Sequence, residues 1–201
     1  MEGLAWADIV KIAASSGAVA AVFSVGLGWL KEIFQRKEER DRGAQFDAIY
    51  LISRLDVLAA ECASNYREFE KTWGQIQDAA VDCDVSGGFE GCKKPEVTID
   101  SGCLSKIDRS IACRIAWLEN DMSLARDAFY EIREIHLNPD QAYESYADLI
   151  GYYGHIALLI SRDLRKKYSL ISSRPNWRSA ENAVLLKACS KKTRKLFKIH
   201  S

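Results

Sequence analysis

No G-x-S-x-G, H-E-x-x-H, P-loop or dinucleotide-binding fingerprint occurs in the 201 residues. Each of these patterns holds a nucleophile, a zinc ion or a phosphate in fixed geometry, so the enzyme classes recognised by them are excluded. No paired-carboxylate signature stands out either, and the expectation is a protein that is not an enzyme and carries no cofactor. Strand-like alternation of apolar and polar residues is missing, as are internal repeats and low-complexity tracts. Charged residues make up 28% and apolar residues 48% of the chain, a globular mixture that excludes a disordered one.

Histidine is scarce, and His136, His155 and His200 are far apart. The six cysteines are Cys62, Cys83, Cys92, Cys103, Cys113 and Cys189. From Cys83 to Cys113 their spacings are nine, eleven and ten, with no C-x-x-C pair and no nearby histidine, so no metal site is expected. Reduced thiols are expected in a cytosolic compartment, and disulfides if the loop faces an oxidising one.

Charge is missing altogether from Ile12 to Leu30. At 1.5 Å per residue these 19 residues make a helix of about 28 Å, close to the hydrocarbon thickness of a bilayer. Trp6 and Trp29 stand near its ends, where amphipathic rings favour the interface. Two rivals exist. A buried helix of a soluble protein would suit the Ala, Ser and Gly content. A cleaved signal peptide would need a basic start, whereas residues 1–10 hold Glu2 and Asp8 and no Lys or Arg. An uncleaved transmembrane helix over 12–30 is the preferred reading. Lys11 precedes it, and Lys31, Arg36, Lys37, Arg40 and Arg42 follow, which places the C-terminal side in the cytoplasm. Ser16, Ala20, Ser24 and Gly28 recur every four residues, a spacing that lets two membrane helices approach closely and self-associate.

The organisation expected is therefore a short external N-terminus (1–11), the membrane helix (12–30), a charged juxtamembrane segment (31–45), a cytosolic helical bundle (46–171) with a long loop (81–103), and a basic C-terminal helix and tail (172–201). Three apolar stripes with steps of three and four residues mark the bundle helices. They run from Leu51 to Ile76, from Ile111 to Ile132 and from Tyr146 to Ile171. Residues 81–103 combine Gly, Pro and Asp and predict a loop. Asn138-Pro139-Asp140 ends one helix and lets the next begin at Pro139; Ser172 to Asn176 ends the third. The fold class is all-α, with an antiparallel three- to four-helix bundle after the membrane helix. Gly151 and Gly154 of "GYYGH" weaken a helix but allow close packing, and a packing role is assigned to them.

Formal net charge is zero, yet residues 162–201 hold 12 Lys/Arg against 2 Asp/Glu. Lys187, Lys191, Lys192, Arg194, Lys195 and Lys198 concentrate this charge in the last helix. Such a face suits anionic lipid, nucleic acid or an acidic protein surface; with Phe197 alone for base stacking, sequence-specific nucleic-acid reading is not expected.

Three stretches carry a resemblance: "FDAIYLISRLDVLAAECASNY", "LENDMSLARDAFYEI" and "GYYGHIALLISRDLRKKYSL". Together they resemble a family of uncharacterised, membrane-anchored proteins of proteobacteria. The resemblance covers most of residues 1–170 and implies a bacterial inner-membrane protein without an assigned activity. Within it, Glu61, Asn120, Asp163 and Arg165 lie beside the apolar stripes and are expected to form either a polar network that fixes helix register or a small-ligand site. The function expected is a membrane-tethered helical module that oligomerises and binds a cytosolic partner; the alternative is a membrane-perturbing, pore-forming effector of a toxin or defence system.

Overall fold

The structure, a computed structural model, describes residues 6–79, 91–170 and 179–198, with backbone alone at 6–28, 30, 79 and 136. All regular structure among them is helical: α1 (Trp6–Ala79), α2 (Ser101–Leu104), α3 (Arg109–His136), α4 (Pro139–Lys167) and α5 (Ser179–Leu196). The chain divides into two units, Met1–Ala44 and Gln45–Ser201.

In the first unit the backbone of 12–30 is helical. The side chains of Ser16, Ala20, Ser24 and Gly28 lie outside the described residues. Among those that are described, no helix is long and apolar enough to cross a membrane. The charged segment after it is helical too, and its charges pair along the helix: Arg36 with Glu32 and Arg42 with Glu38, each at a spacing of four. Exposed pairs of this kind stabilise a helix by only about 0.3–0.5 kcal/mol each.

In the second unit, all three apolar stripes turn inward. Leu51, Leu55, Leu58, Phe69 and Trp73 of α1, Ile111, Ile115, Leu118 and Phe129 of α3, and Ile150, Tyr153, Ala157, Ile160 and Leu164 of α4 are buried. Contacts fix the directions. Trp73 meets Tyr143, Tyr66 meets Asp148 and Asp56 meets Arg165, so α1 and α4 are antiparallel. Phe129 meets Tyr146 while Arg114 meets Asp163, which makes α3 and α4 antiparallel as well. Cys189 lies over Gly151 and Lys192 over Asp148, so α5 also runs against α4. Helix α4 is thus the hub that the other three surround.

The two glycines of α4 make this possible. A Cβ on Gly151 would lie 2.5 Å from the Cys189 Cβ, and one on Gly154 would lie 2.6 Å from the Cys62 Cβ. Helices α5 and α1 therefore sit against bare α4 backbone one turn apart. This is the packing role expected of "GYYGH".

Helix ends follow local chemistry. The Asn138 side chain accepts from the Gln141 N–H at 2.8 Å, Gln141 reciprocates, and Pro139 occupies the first helical position. Asp108 caps α3 by accepting from the Ser110 and Ile111 N–H groups, and Lys167 Nζ lies 3.0 Å from its other oxygen. The Ser110 hydroxyl, which also donates to this carboxylate, and after it Lys167 and the Ile111 N–H hold the Asp108 carboxyl well below the usual aspartate range. The end of α4 comes earlier than Ser172: Ser169 takes a left-handed φ of 52°, the Leu170 N–H reaches the Arg165 carbonyl and the Ser169 N–H that of Lys166. That pattern is a Schellman closure with serine in the place usually held by glycine. Within 91–103, where a loop was expected, Ser101–Leu104 forms one helical turn capped by Asp100.

Candidate functional site

At 100° per residue, Lys187, Lys191 and Arg194 fall within a narrow arc of α5, with Lys195 beside it, and Lys198 follows in the turn beyond the helix end at a left-handed φ of 52°. The arc opposite holds Leu186, Cys189, Ser190 and Thr193, all buried, with Leu186 and Cys189 against the α4 glycines. Cys189 on that inner arc, set over Gly151, draws α5 close and turns the cations outward. Among the described residues none of these five cations has an acidic partner. Lys192 stands apart from them on the helix. Its Nζ lies 3.4 Å from Asp148 Oδ1, so this one base of the predicted contact set is used inside the fold.

Asp148 is 8% exposed and also accepts from the Tyr66 hydroxyl at 3.2 Å. Burial raises its carboxyl above the ordinary aspartate range, against the opposing pull of Lys192. Tyr66 is pushed up as well, first by burial and then by the Asp148 charge. From α4, His155 and Arg162 border the basic face. Burial first, then Arg194, Lys187 and Arg162, lower the His155 pKa, so its imidazole is neutral at neutral pH. Its Nδ1 is enclosed and has no hydrogen-bond partner. The face is therefore a set of permanent cations around a neutral ring.

The four polar residues expected to act together do not meet. Glu61 and Asn120 are exposed, and no hydrogen bond or ion pair among the described residues joins any two of the four. Asp163 accepts from Arg114 at 2.7 Å. Arg165 belongs to a different group: it pairs with Asp56 and donates to the Ser161 hydroxyl, while Ser161 donates to Asp56 at 2.7 Å. This triad ties α4 to α1 with both Asp56 oxygens, the Ser161 hydroxyl and both terminal Arg165 nitrogens engaged, which suits a structural role. Asp56, Ser161, Tyr66 and Asp148 are absent from the sequence-based set. For Asp148 the available signal was an acid standing beside the third stripe; Asp56, Ser161 and Tyr66 carried none.

Cys62, Cys92, Cys103, Cys113 and Cys189 are free, and Cys83 lies outside the described residues. Burial pushes the Cys92 and Cys189 thiols up to about 12 and Cys62 higher still. Such thiols are poor nucleophiles and poor metal ligands at neutral pH. Among the described residues no group of three His, Cys, Asp or Glu side chains is placed to hold a metal ion.

Scans against protein-family models, characterised proteins and solved structures each find no match.

Proposed function

We propose that this chain is a membrane-tethered helical module that self-associates and presents the outer face of α5 to an acidic cytosolic protein. The observation that carries the partner is the set of five cations, four along one side of α5 and Lys198 just beyond its end, that have no acidic partner among the described residues. Neighbouring like charges repel one another, and an acidic surface relieves that repulsion while adding charge-assisted hydrogen bonds. Tethering rests on the uncharged stretch Ile12–Leu30, and the cytoplasmic orientation on the five bases from Lys31 to Arg42. The resemblance to bacterial inner-membrane proteins agrees with that location. Self-association rests on the Ser16, Ala20, Ser24 and Gly28 row. Exposed Phe46, Ile49, Tyr50 and Val57 of α1 add apolar surface to the same end.

The test uses the full chain in mild detergent, a fluorescent polyglutamate peptide, and separately vesicles of phosphatidylcholine with and without phosphatidylglycerol. The peptide is expected to bind in a salt-sensitive way, and glutamates at Lys187, Lys191, Arg194 and Lys198 together to abolish binding. Preferential binding to phosphatidylglycerol vesicles, lost in the same variant, would replace the protein partner with lipid. Unchanged peptide binding in the variant would remove α5 from the interaction altogether.

A further inference from the structure

Behind α2, the second unit forms a half-open cavity of about 250 Å³ walled by α2, the segment before it, α3 and α4. Its walls are apolar: Val97, Ile99 and Leu104 on one side, Ile115 and Leu118 of α3 on another. Tyr153 of α4, Glu119 of α3 and Ser101 of α2 supply the polar side chains. Tyr153 is 3% exposed, and its hydroxyl has no hydrogen-bond partner among the described residues. That hydroxyl is not sealed off as His155 Nδ1 and Thr193 Oγ1 are, and Tyr153 lines the cavity. Glu119 is exposed, lines the cavity, and has no ion pair among the described residues.

We propose that this cavity is a binding site for a small apolar amine, its ammonium held between the Glu119 carboxylate and the Tyr153 hydroxyl oxygen and its hydrocarbon body against the α3 wall. Three features select that class. The volume lies below the range of about 300–1,000 Å³ typical of sites for drug-sized ligands, so the occupant is smaller than those. The walls favour hydrocarbon, and a carboxylate without a cation favours a ligand that brings one. Burial above all, with the Glu119 carboxylate adding to it, pushes the Tyr153 phenol up to about 12, so it remains a neutral donor and acceptor. An ammonium donates to both oxygens. A carboxylate ligand would meet Glu119 as a like charge, and an alcohol would leave Glu119 without a counter-charge.

The site is independent of α5, and its test separates it from the acidic-partner reading. Phenethylammonium, phenethyl alcohol and phenylacetate are titrated into the full chain in mild detergent at neutral pH, with binding read by calorimetry. The amine is expected to bind saturably, the alcohol about tenfold more weakly, as befits the loss of one charge-assisted contact, and the acid not at all. Glu119→Gln should bring the amine down to the affinity of the alcohol. Tyr153→Phe should weaken both, and Ala116→Phe, at the rim, should block both. Glu119 and Ala116 are exposed positions, so these two variants keep the bundle intact, and a helical circular dichroism spectrum checks it. Equal affinity for amine and alcohol, an unchanged amine affinity in Glu119→Gln, or no saturable amine binding by the folded chain would each overturn the proposal.

Discussion

Two missing side chains set the interior of this protein. Replacing glycine by alanine inside a helix ordinarily stabilises it by about 0.5–1 kcal/mol, because alanine has less backbone freedom to lose. At Gly151 and Gly154 the sign is reversed. The new methyl groups would meet the Cβ and Sγ of Cys189, and the Cβ of Cys62 (2.5–2.6 Å in each case), and a Cβ moves only with its backbone. Overpacking of this kind costs about 1–3 kcal/mol, which outweighs the propensity gain. Gly151→Ala and Gly154→Ala are each expected to lower stability in denaturant unfolding by one to a few kcal/mol on that scale. Cys189→Gly should recover part of the loss in Gly151→Ala and none in Gly154→Ala. Gly74 is the control, since nothing lies within 4 Å of its added Cβ. There alanine should be neutral or stabilising.

At the scale of the element, α5 is held on α4 by a buried acid that is not fully compensated. Asp148 has a folded pKa raised above its unfolded value, so the native state binds the proton more tightly. Its contribution to stability therefore improves as pH falls through the folded pKa, and is complete below the unfolded value near 3.8. At neutral pH the ionised carboxylate is a net cost despite Lys192. Asp148→Asn keeps an acceptor for Tyr66 and removes the charge. The variant should melt higher than the parent at neutral pH, with the gap closing towards about pH 4. A gap that widens on acidification would mean that Lys192 dominates. Much at this scale was legible in the sequence. The stripes are read from steps of three and four because a helix repeats every 3.6 residues, and Asn138-Pro139 announces a start through side-chain chemistry that works locally. The basic face of α5 is read in the same way. The end of α4 was not legible, because it turns on a serine in a left-handed conformation that residue type does not advertise. Nor was the Asp56–Ser161–Arg165 triad, whose partners lie more than 100 positions apart. Glu61 and Asn120 adjoin the stripes in sequence, but one or two residues of helix turn a side chain out of the buried arc.

The whole molecule keeps its charge divided: the last 40 residues hold the basic surplus, while the interior of the bundle is closed around thiols contributed by α1, by the segment before α2 and by α5. Those thiols turn the bundle into its own recorder. An alkylating reagent finds Cys113 on the native surface, whereas Cys62, Cys92 and Cys189 can be labelled only when the chain around them opens. Labelling rates therefore count openings, one helix at a time, with mass spectrometry telling the sites apart. Cys62 and Cys189 touch α4 one turn apart, through Gly154 and Gly151. Separation of either helix exposes the bare backbone on which the other also rests, so both sites are expected to become reactive at the same denaturant midpoint. Earlier labelling of Cys189 would show instead that α5, with its cations, can lift away while the remainder of the bundle stays shut.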